Sequence, residues 1–158
     1  PEKIKLKSLK IADLVSKSLN HVGLIAVELF CTHNDDVLVN EIAPRVHNSG
    51  HLTIESCITS QFEQHIRAIY DLSLGNVDQI LPSVMVNLVG ENNQSGEAFY
   101  RNIDKAFDLD GVYPHVYGKK ITKPYRKMGH ITIMDKKLEK AISKARILKN
   151  TIKIISTK

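Results

Sequence analysis

Apolar positions along this chain alternate between helical spacing and short continuous runs. Ser8 is the expected N-cap of a first helix, because Leu9, Ile11, Leu14, Val15 and Leu19 follow it near helical spacing. Asn20-His21-Val22-Gly23 ends that helix. Leu24 to Cys31 and Val37 to Ile42 read as two strands. The polar run Thr32-His33-Asn34-Asp35-Asp36 between them reads as a hairpin turn. Pro44 to Gly50 is a loop. Gln61 to Leu72 is amphipathic, with Phe62, His65, Ile66 and Ile69 on one face and Thr59 or Ser60 as its cap. Gly75 and Pro82 then mark a change of character, and a boundary is expected between residues 73 and 82.

Beyond that boundary the pattern predicts a strand over Val84–Val89 and a short helix over Glu97–Phe107. Further strands are expected over Val112–Tyr117 and His130–Met134. A helix over Lys136–Lys149 carries Leu138, Ala141, Ile142, Ala145 and Leu148 as its stripe. Ile152–Ile155 is either a strand or the end of that helix. The expected fold is α+β: an antiparallel sheet with helices packed on it, followed by a small, mainly β domain. The expected domains are residues 1–78 and 79–158. There is no internal repeat.

Composition narrows the class. With 158 residues, 42 % of them hydrophobic, the chain is long enough for a core. No apolar run is long enough to span a membrane, and no signal peptide is expected at the Lys-rich start. Cys31 and Cys57 form no Cys-x-x-Cys and no disulfide framework, so a reducing cytoplasm is the expected setting. The net charge is +5, and Lys and Arg recur densely after Lys119. That tail is either a solvated basic face or an attractor of phosphate-bearing ligands. Aromatic residues do not interleave with the charges as base stacking requires, so nucleic acid is not the expected partner.

The chemistry concentrates in Asn40-Glu41-Ile42-Ala43-Pro44-Arg45-Val46-His47-Asn48-Ser49-Gly50-His51. A carboxylate, a guanidinium, two imidazoles, amides and a hydroxyl this close together suit a site for a metal and an anion. A buried stretch would need a partner for each head. Centring the hairpin between Asn34 and Asp35 puts Glu28 opposite Glu41, Phe30 opposite Val39 and Val27 opposite Ile42. Directly opposed side chains have Cβ atoms about 4.5–5.5 Å apart, so two glutamates there call for a cation between them. Magnesium takes carboxylate oxygens and leaves room for phosphate. A slipped register would instead leave both glutamates merely exposed.

Arg45 offers a donor fork for carboxylate or phosphate. His47 and His51 have His-x-x-x-His spacing, a weak zinc signal with Gly50 inside it and Pro44 just before. Asn48, Ser49 and Gly50 could present backbone N–H groups to an anion, or form an ordinary turn. Lys119 and Arg126 flank a loop containing Pro124, either as a clamp for a phosphate monoester or as a basic surface hairpin. His21, His33, His65 and His115 have no comparable setting and are expected at the surface or in packing.

The run from Asn40 to His51, followed by Ser60-Gln61-Phe62-Glu63-Gln64-His65-Ile66-Arg67-Ala68, closely resembles one family. It is the ATPase subunit of phosphoribosylaminoimidazole carboxylase, also called 5-(carboxyamino)imidazole ribonucleotide synthetase, an ATP-grasp ligase. Val27-Glu28-Leu29-Phe30 looks like its preceding metal strand. Pro82-Ser83-Val84-Met85-Val86-Asn87-Leu88-Val89-Gly90 and Arg126-Lys127-Met128-Gly129-His130 resemble its C-terminal domain. The resemblance implies an ATP-dependent carboxylation of 5-aminoimidazole ribonucleotide by bicarbonate in purine biosynthesis, with carboxyphosphate as intermediate. It assigns Glu28 and Glu41 to two magnesium ions and ATP, with Asn40 beside them at the nucleotide. Arg45 and His47 become the catalytic pair and, with Asn48, line the bicarbonate and ribonucleotide pocket. Lys119 and Arg126 become the holders of the 5′-phosphate. Many ATP-grasp enzymes place Glu-x-Asn on the second metal strand; the third position here is Ala43, as in this family. The resemblance also implies a homodimer.

It covers only the later part of such an enzyme, so the chain is expected to lack synthetase activity by itself. The rivals are a different ATP-grasp carboxylase or ligase, which would not need the loop from Arg45 to His51, and a non-enzymatic basic nucleotide-binding module.

Overall fold

The computed structural model describes residues 1–157 and divides into two compact units. The first comprises Pro1–Ile54 and Thr59–Val77; the second comprises Glu55–Ile58 and Asp78–Lys158.

In the first unit, helix α1 (Glu2–Ser18) packs on a hairpin of β1 (Ala26–Cys31) and β2 (Val37–Ala43). The helix starts six residues before the expected cap. Ser8 lies inside it, and its hydroxyl donates to the Ile4 carbonyl (2.9 Å) rather than capping. Glu2 in the first turn and Lys17 in the last favour the helix dipole. None of its residues is buried.

The hairpin pairs Val27 with Ile42 and Glu28 with Glu41, as expected, and Ala26 with Ala43. Beyond Glu28 the register shifts: Leu29 faces Val39 and Phe30 faces Leu38, not Val39. The turn explains why. Thr32 N–H donates to Asp36 O (2.9 Å) and Asp35 N–H to Thr32 O (3.1 Å), with Asp35 at φ +62°. This loop is one residue longer than a two-residue turn, a common form that ends on a left-handed residue. Asn40 then bulges out of β2 and restores the parity of Glu41.

A 3₁₀ turn (Asn48–Gly50) and the one-turn helix α2 (Thr53–Ser56) lead to α3 (Gln61–Ile69). Ser60 caps α3, its hydroxyl accepting from Glu63 N–H (3.2 Å). The face of α3 turned inward is polar. Gln61 is buried, and Gln64 and His65 are half-buried, while Phe62, Ile66 and Ile69 are exposed. These polar heads satisfy backbone groups of neighbouring segments. Gln64 Nε2 donates to Gly75 O (2.6 Å), Gly75 N–H to Gln64 Oε1 (3.0 Å), and Leu24 N–H to His65 Nδ1 (2.9 Å). His21 donates to Leu24 O (3.0 Å).

The second unit holds two three-stranded antiparallel sheets. One has the order β3 (Ser83–Val89), β7 (Lys127–Met134), β5 (Val112–Val116). The other has the order β6 (Ile121–Thr122), β4 (Gly96–Arg101), β8 (Lys153–Thr157). Helix α4 (Leu138–Thr151) packs on β3 and β7, and Ile131, Ile133, Ala141, Ala145, Leu148, Ile152 and Ile154 form the centre of the core. The segment Glu55–Ile58 is tied into this unit: Ile58 N–H donates to Asp78 O (3.0 Å) and Ile80 N–H to Ser56 O (2.7 Å).

The helix expected over Glu97–Phe107 is instead strand β4 and a 3₁₀ turn (Ile103–Ala106). Burial alternates strictly along β4, and its residues pair with β8 from Glu97–Thr157 to Arg101–Lys153. Cross-strand pairing of Phe99 with Ile155 and Tyr100 with Ile154 outweighs the helix propensity of Glu97 and Ala98. Asn102, at φ +60°, ends the strand. The last apolar run is strand β8, not a continuation of α4.

Candidate active site

The hairpin brings Glu28 and Glu41 directly opposite each other on one face. Glu28 is held from two sides. Asn40, freed from the ladder by its bulge, donates Nδ2–H to Glu28 Oε2 (3.2 Å). His47 Nε2 lies 3.4 Å from Glu28 Oε1. A carboxylate has about four lone-pair positions, so two remain for a cation. Glu41 is exposed, and among the described residues its carboxylate makes no hydrogen bond or ion pair. The donor set suits a hard, oxygen-seeking cation such as magnesium, which keeps waters and phosphate oxygens in its shell. Ala43, the last residue of β2, is buried and offers no side-chain ligand. Among the described residues, no group of three or more His, Cys, Asp or Glu is placed to hold a metal by itself.

His47 is fixed at both ring nitrogens. Nε2 faces Glu28, and Nδ1 lies 2.9 Å from Ser49 Oγ. Its backbone is fixed by Gln61: His47 N–H donates to Gln61 Oε1 (3.0 Å), and Gln61 Nε2 donates to His47 O (2.8 Å). The same Nε2 donates to His51 Nδ1 (2.8 Å), and the His51 ring stacks on Phe62. The two histidines of the zinc-like spacing therefore face different partners. Gly50 lets the loop close on Gln61, since a Cβ there would sit 2.5 Å from Gln61 Oε1. Little in the sequence marks Gln61 for this role. Its one signal is a polar residue opening α3 directly after the cap, on the face that turns inward.

The loop N–H groups expected to greet an anion are largely committed. Ser49 N–H points to His47 Nδ1 (3.4 Å), Gly50 N–H to His47 O (3.0 Å) and His51 N–H to Asn48 O (3.1 Å). The donors this loop leaves unspent are therefore mainly in side chains. Arg45 is exposed; one Nη1–H donates to Val46 O (2.9 Å), which leaves most of its five donors available. Asn48 is half-buried at the head of the 3₁₀ turn.

Lys119 and Arg126 lie in the second unit. Lys119 Nζ donates to Lys127 O (2.6 Å) and sits 5.6 Å from the centroid of the Tyr117 ring. Arg126 Nη1 donates to Ile121 O (2.9 Å). Between them the chain turns through Lys123-Pro124-Tyr125-Arg126, closed by Arg126 N–H to Lys123 O (3.0 Å). Both cations keep unspent donors. His115, expected in an ordinary setting, is instead in a polar row: Nε2 donates to Glu55 Oε1 (2.6 Å), and its ring stacks on His130 with centroids 4.4 Å apart.

Comparison with known proteins gives these arrangements a context. Residues 1–62 match the ATP-grasp domain family, and residues 83–144 match the phosphoribosylaminoimidazole carboxylase C-terminal domain family. The chain is 46 % identical over 131 residues to the N5-carboxyaminoimidazole ribonucleotide synthase of Bacillus subtilis, covering 83 % of this chain and 33 % of that protein. The crystal structure of N5-carboxyaminoimidazole ribonucleotide synthetase from Thermotoga maritima is 48 % identical, with a TM-score of 0.90 over 99 % of this chain and 44 % of that one. A synthase from Aspergillus clavatus, solved with ADP and 5-aminoimidazole ribonucleotide, is 35 % identical, with a TM-score of 0.70 over 81 % of this chain and 34 % of that one. The chain thus spans a third of the curated bacterial relative and less than half of these solved structures.

Proposed function

Since this chain belongs to the ATP-grasp family over residues 1–62 and to the phosphoribosylaminoimidazole carboxylase C-terminal family over residues 83–144, we propose that it is part of an N5-carboxyaminoimidazole ribonucleotide synthase. The reaction joins bicarbonate to the exocyclic amine of 5-aminoimidazole ribonucleotide, consumes ATP and releases ADP and phosphate. The observation that carries this reading is the Glu28–Glu41 pair, opposed on one hairpin and followed at once by Arg45 and by a His47 held against Glu28.

In this reading Glu28 and Glu41 hold two magnesium ions, with Asn40 orienting Glu28 and standing beside the nucleotide. Magnesium supplies charge neutralisation for the phosphates of ATP. Arg45 and His47 receive bicarbonate. The guanidinium fork matches the planar anion, and the His47 imidazole, pinned between Glu28 and Ser49, keeps a fixed orientation beside the Glu28 carboxylate. Asn48 contributes a carboxamide to the ribonucleotide. Lys119 and Arg126 take its 5′-phosphate, Lys as a point charge and Arg as a fork. The full protein works as a homodimer in the cytoplasm, binding neither nucleic acid nor membrane; within the described residues, no helix is long and apolar enough to cross a membrane.

The test uses the full-length protein. Glu28→Ala and Glu41→Ala are each expected to abolish ATP- and bicarbonate-dependent carboxylation while the ribonucleotide still binds. Retained turnover in either variant would refute the assignment. The 158-residue chain alone is expected to show no turnover.

A further inference from the structure

Four polar side chains cross the second unit in one line: Glu55, His115, His130 and Tyr117. Register places them. His130 on β7 pairs with His115 on β5 and with Asn87 on β3, so the three share a row on one face of the sheet. Neighbouring Ile131 and Ile133 alternate with His130 and Thr132, and all four are buried. β7 is therefore covered on both faces, one apolar and one on which His130 and Thr132 stand beside Met134. Glu55 enters this second face from the segment Glu55–Ile58, tied to β3's approach by the Ile58–Asp78 and Ile80–Ser56 bonds.

The links are short. His115 donates Nε2–H to Glu55 Oε1 (2.6 Å), and the two imidazoles stack nearly parallel, 9° apart. His130 Nδ1 lies 2.9 Å from the Tyr117 hydroxyl, and the Tyr117 ring lies under Lys119 Nζ at 5.6 Å. Burial raises the Tyr117 phenol above its usual range, so it stays protonated. Packing alone does not call for such a row. Burying the His130 imidazole, and half-burying His115 and Glu55 beside it, costs desolvation that an aliphatic row avoids. What the row supplies is a fixed ring orientation at its open end, where Lys119 sits.

We propose that Tyr117 and His130 are positioning residues for Lys119. They hold the phenol ring on which the ammonium rests, so that, with one N–H given to Lys127 O, its remaining donors are aimed outward at a phosphate monoester. This assignment rests on the reading that Lys119 binds the 5′-phosphate of the ribonucleotide. Tyr117 touches Lys119 and acts through it; His130, behind Tyr117, acts at one further remove.

The experiment is a steady-state comparison in the full-length protein. Tyr117→Phe keeps the ring and removes only the hydroxyl. It is expected to raise the KM for 5-aminoimidazole ribonucleotide by roughly three- to tenfold, the scale of one hydrogen bond. The KM for ATP and kcat are expected to hold. His130→Gln is expected to move the same constant in the same direction. In a Lys119→Met background, Tyr117→Phe is expected to add nothing, because the group it positions is gone. Ribose 5-phosphate as a competitive probe is expected to weaken in parallel. An unchanged ribonucleotide KM in Tyr117→Phe would overturn the positioning role, and so would an equal effect with and without Lys119. If the unaltered full-length protein shows no ATP- and bicarbonate-dependent turnover, the functional reading itself fails, and the positioning role falls with it; that outcome is distinguished by the wild-type control.

Discussion

Gln61 is a single buried amide that ties down the loop from His47 to His51. It accepts from His47 N–H, donates to His47 O and to His51, and sits against Gly50. Its own N–H goes to Thr53 Oγ1 (2.9 Å). Gln61→Ala would strand the His47 N–H, while His47 O would keep only the Gly50 N–H. The expected loss is about 1–3 kcal/mol, the cost of leaving a buried polar group unsatisfied, read by chemical denaturation of the full-length protein. Because His47 would also lose its fixed edge, the variant is expected to lose activity more than stability predicts. The chemistry-bearing residues were legible one by one in the segment from Asn40 to His51. Gln61 was not, because its importance lies in what it bonds to, and nothing in a glutamine following a serine announces that. His115 was passed over for the same reason: its partners, Glu55 and His130, are distant in sequence.

Elements were legible where one face of a strand or helix is apolar and local propensity agrees. The hairpin strands, β3, β7 and α4 are of this kind. α3 was found and capped as expected, yet its inward face is the polar one. A hydrophobic stripe says that a face will be covered, not that this part of the chain covers it. β4 carries a misleading local signal, because Glu97 and Ala98 suit a helix, while the pairing that decides the matter comes from β8, more than fifty residues on. The turn before Arg126 shows a local cost of another kind. Pro124 at its second position and Tyr125 at φ +60° follow the type II pattern, whose third position ordinarily belongs to glycine. Tyr125 is exposed, so its ring contributes little burial to offset the strain. Tyr125→Gly is expected to stabilise the protein by about 1 kcal/mol, within the 1–2 kcal/mol cost of a left-handed residue and less glycine's greater entropy when unfolded. Thermal melts of the two proteins measure it.

At the scale of the whole chain, the two units differ in how they hold together. The second has a closed core of Ile, Leu, Met and Ala. In the first, Ala43 is the one buried apolar residue among those described, while Leu6, Leu9, Leu14, Phe30 and Leu38 are more than half exposed. The second unit also carries a charged latch. Asp135 accepts from Lys144 Nζ (3.0 Å) and from Lys137 N–H (3.2 Å), and Lys144 donates on to Asp110 O (2.8 Å). The Lys144 hydrogen bond, then that from Lys137, holds the Asp135 carboxyl below its usual range. A carboxyl lowered on folding adds stability above its unfolded pKa, about 3.9, and loses it as pH falls through the folded value. Asp135→Asn is therefore expected to lower the melting temperature at neutral pH, with the gap to the unaltered protein closing only in acid below about pH 4. A gap that stayed constant down to pH 2 would show that the latch is not electrostatic.

The bulge at Asn40 gives the hairpin a slack that its regular pairing would not. The three-residue tip displaces the ladder by one place, and the bulge displaces it back, so the two irregularities are complementary. Everything between them, Leu29 to Cys31 against Val37 to Val39, can be thought of as a sliding section, and everything below it as an anchored one. A change of one residue at the tip can then be taken up by annealing or doubling the bulge. The section slides, and Glu28 stays opposite Glu41. Loop length is thereby uncoupled from the opposition of the two carboxylates but not from Asn40, which leaves Glu28 when the bulge anneals, so a shorter tip costs the site its orienting amide.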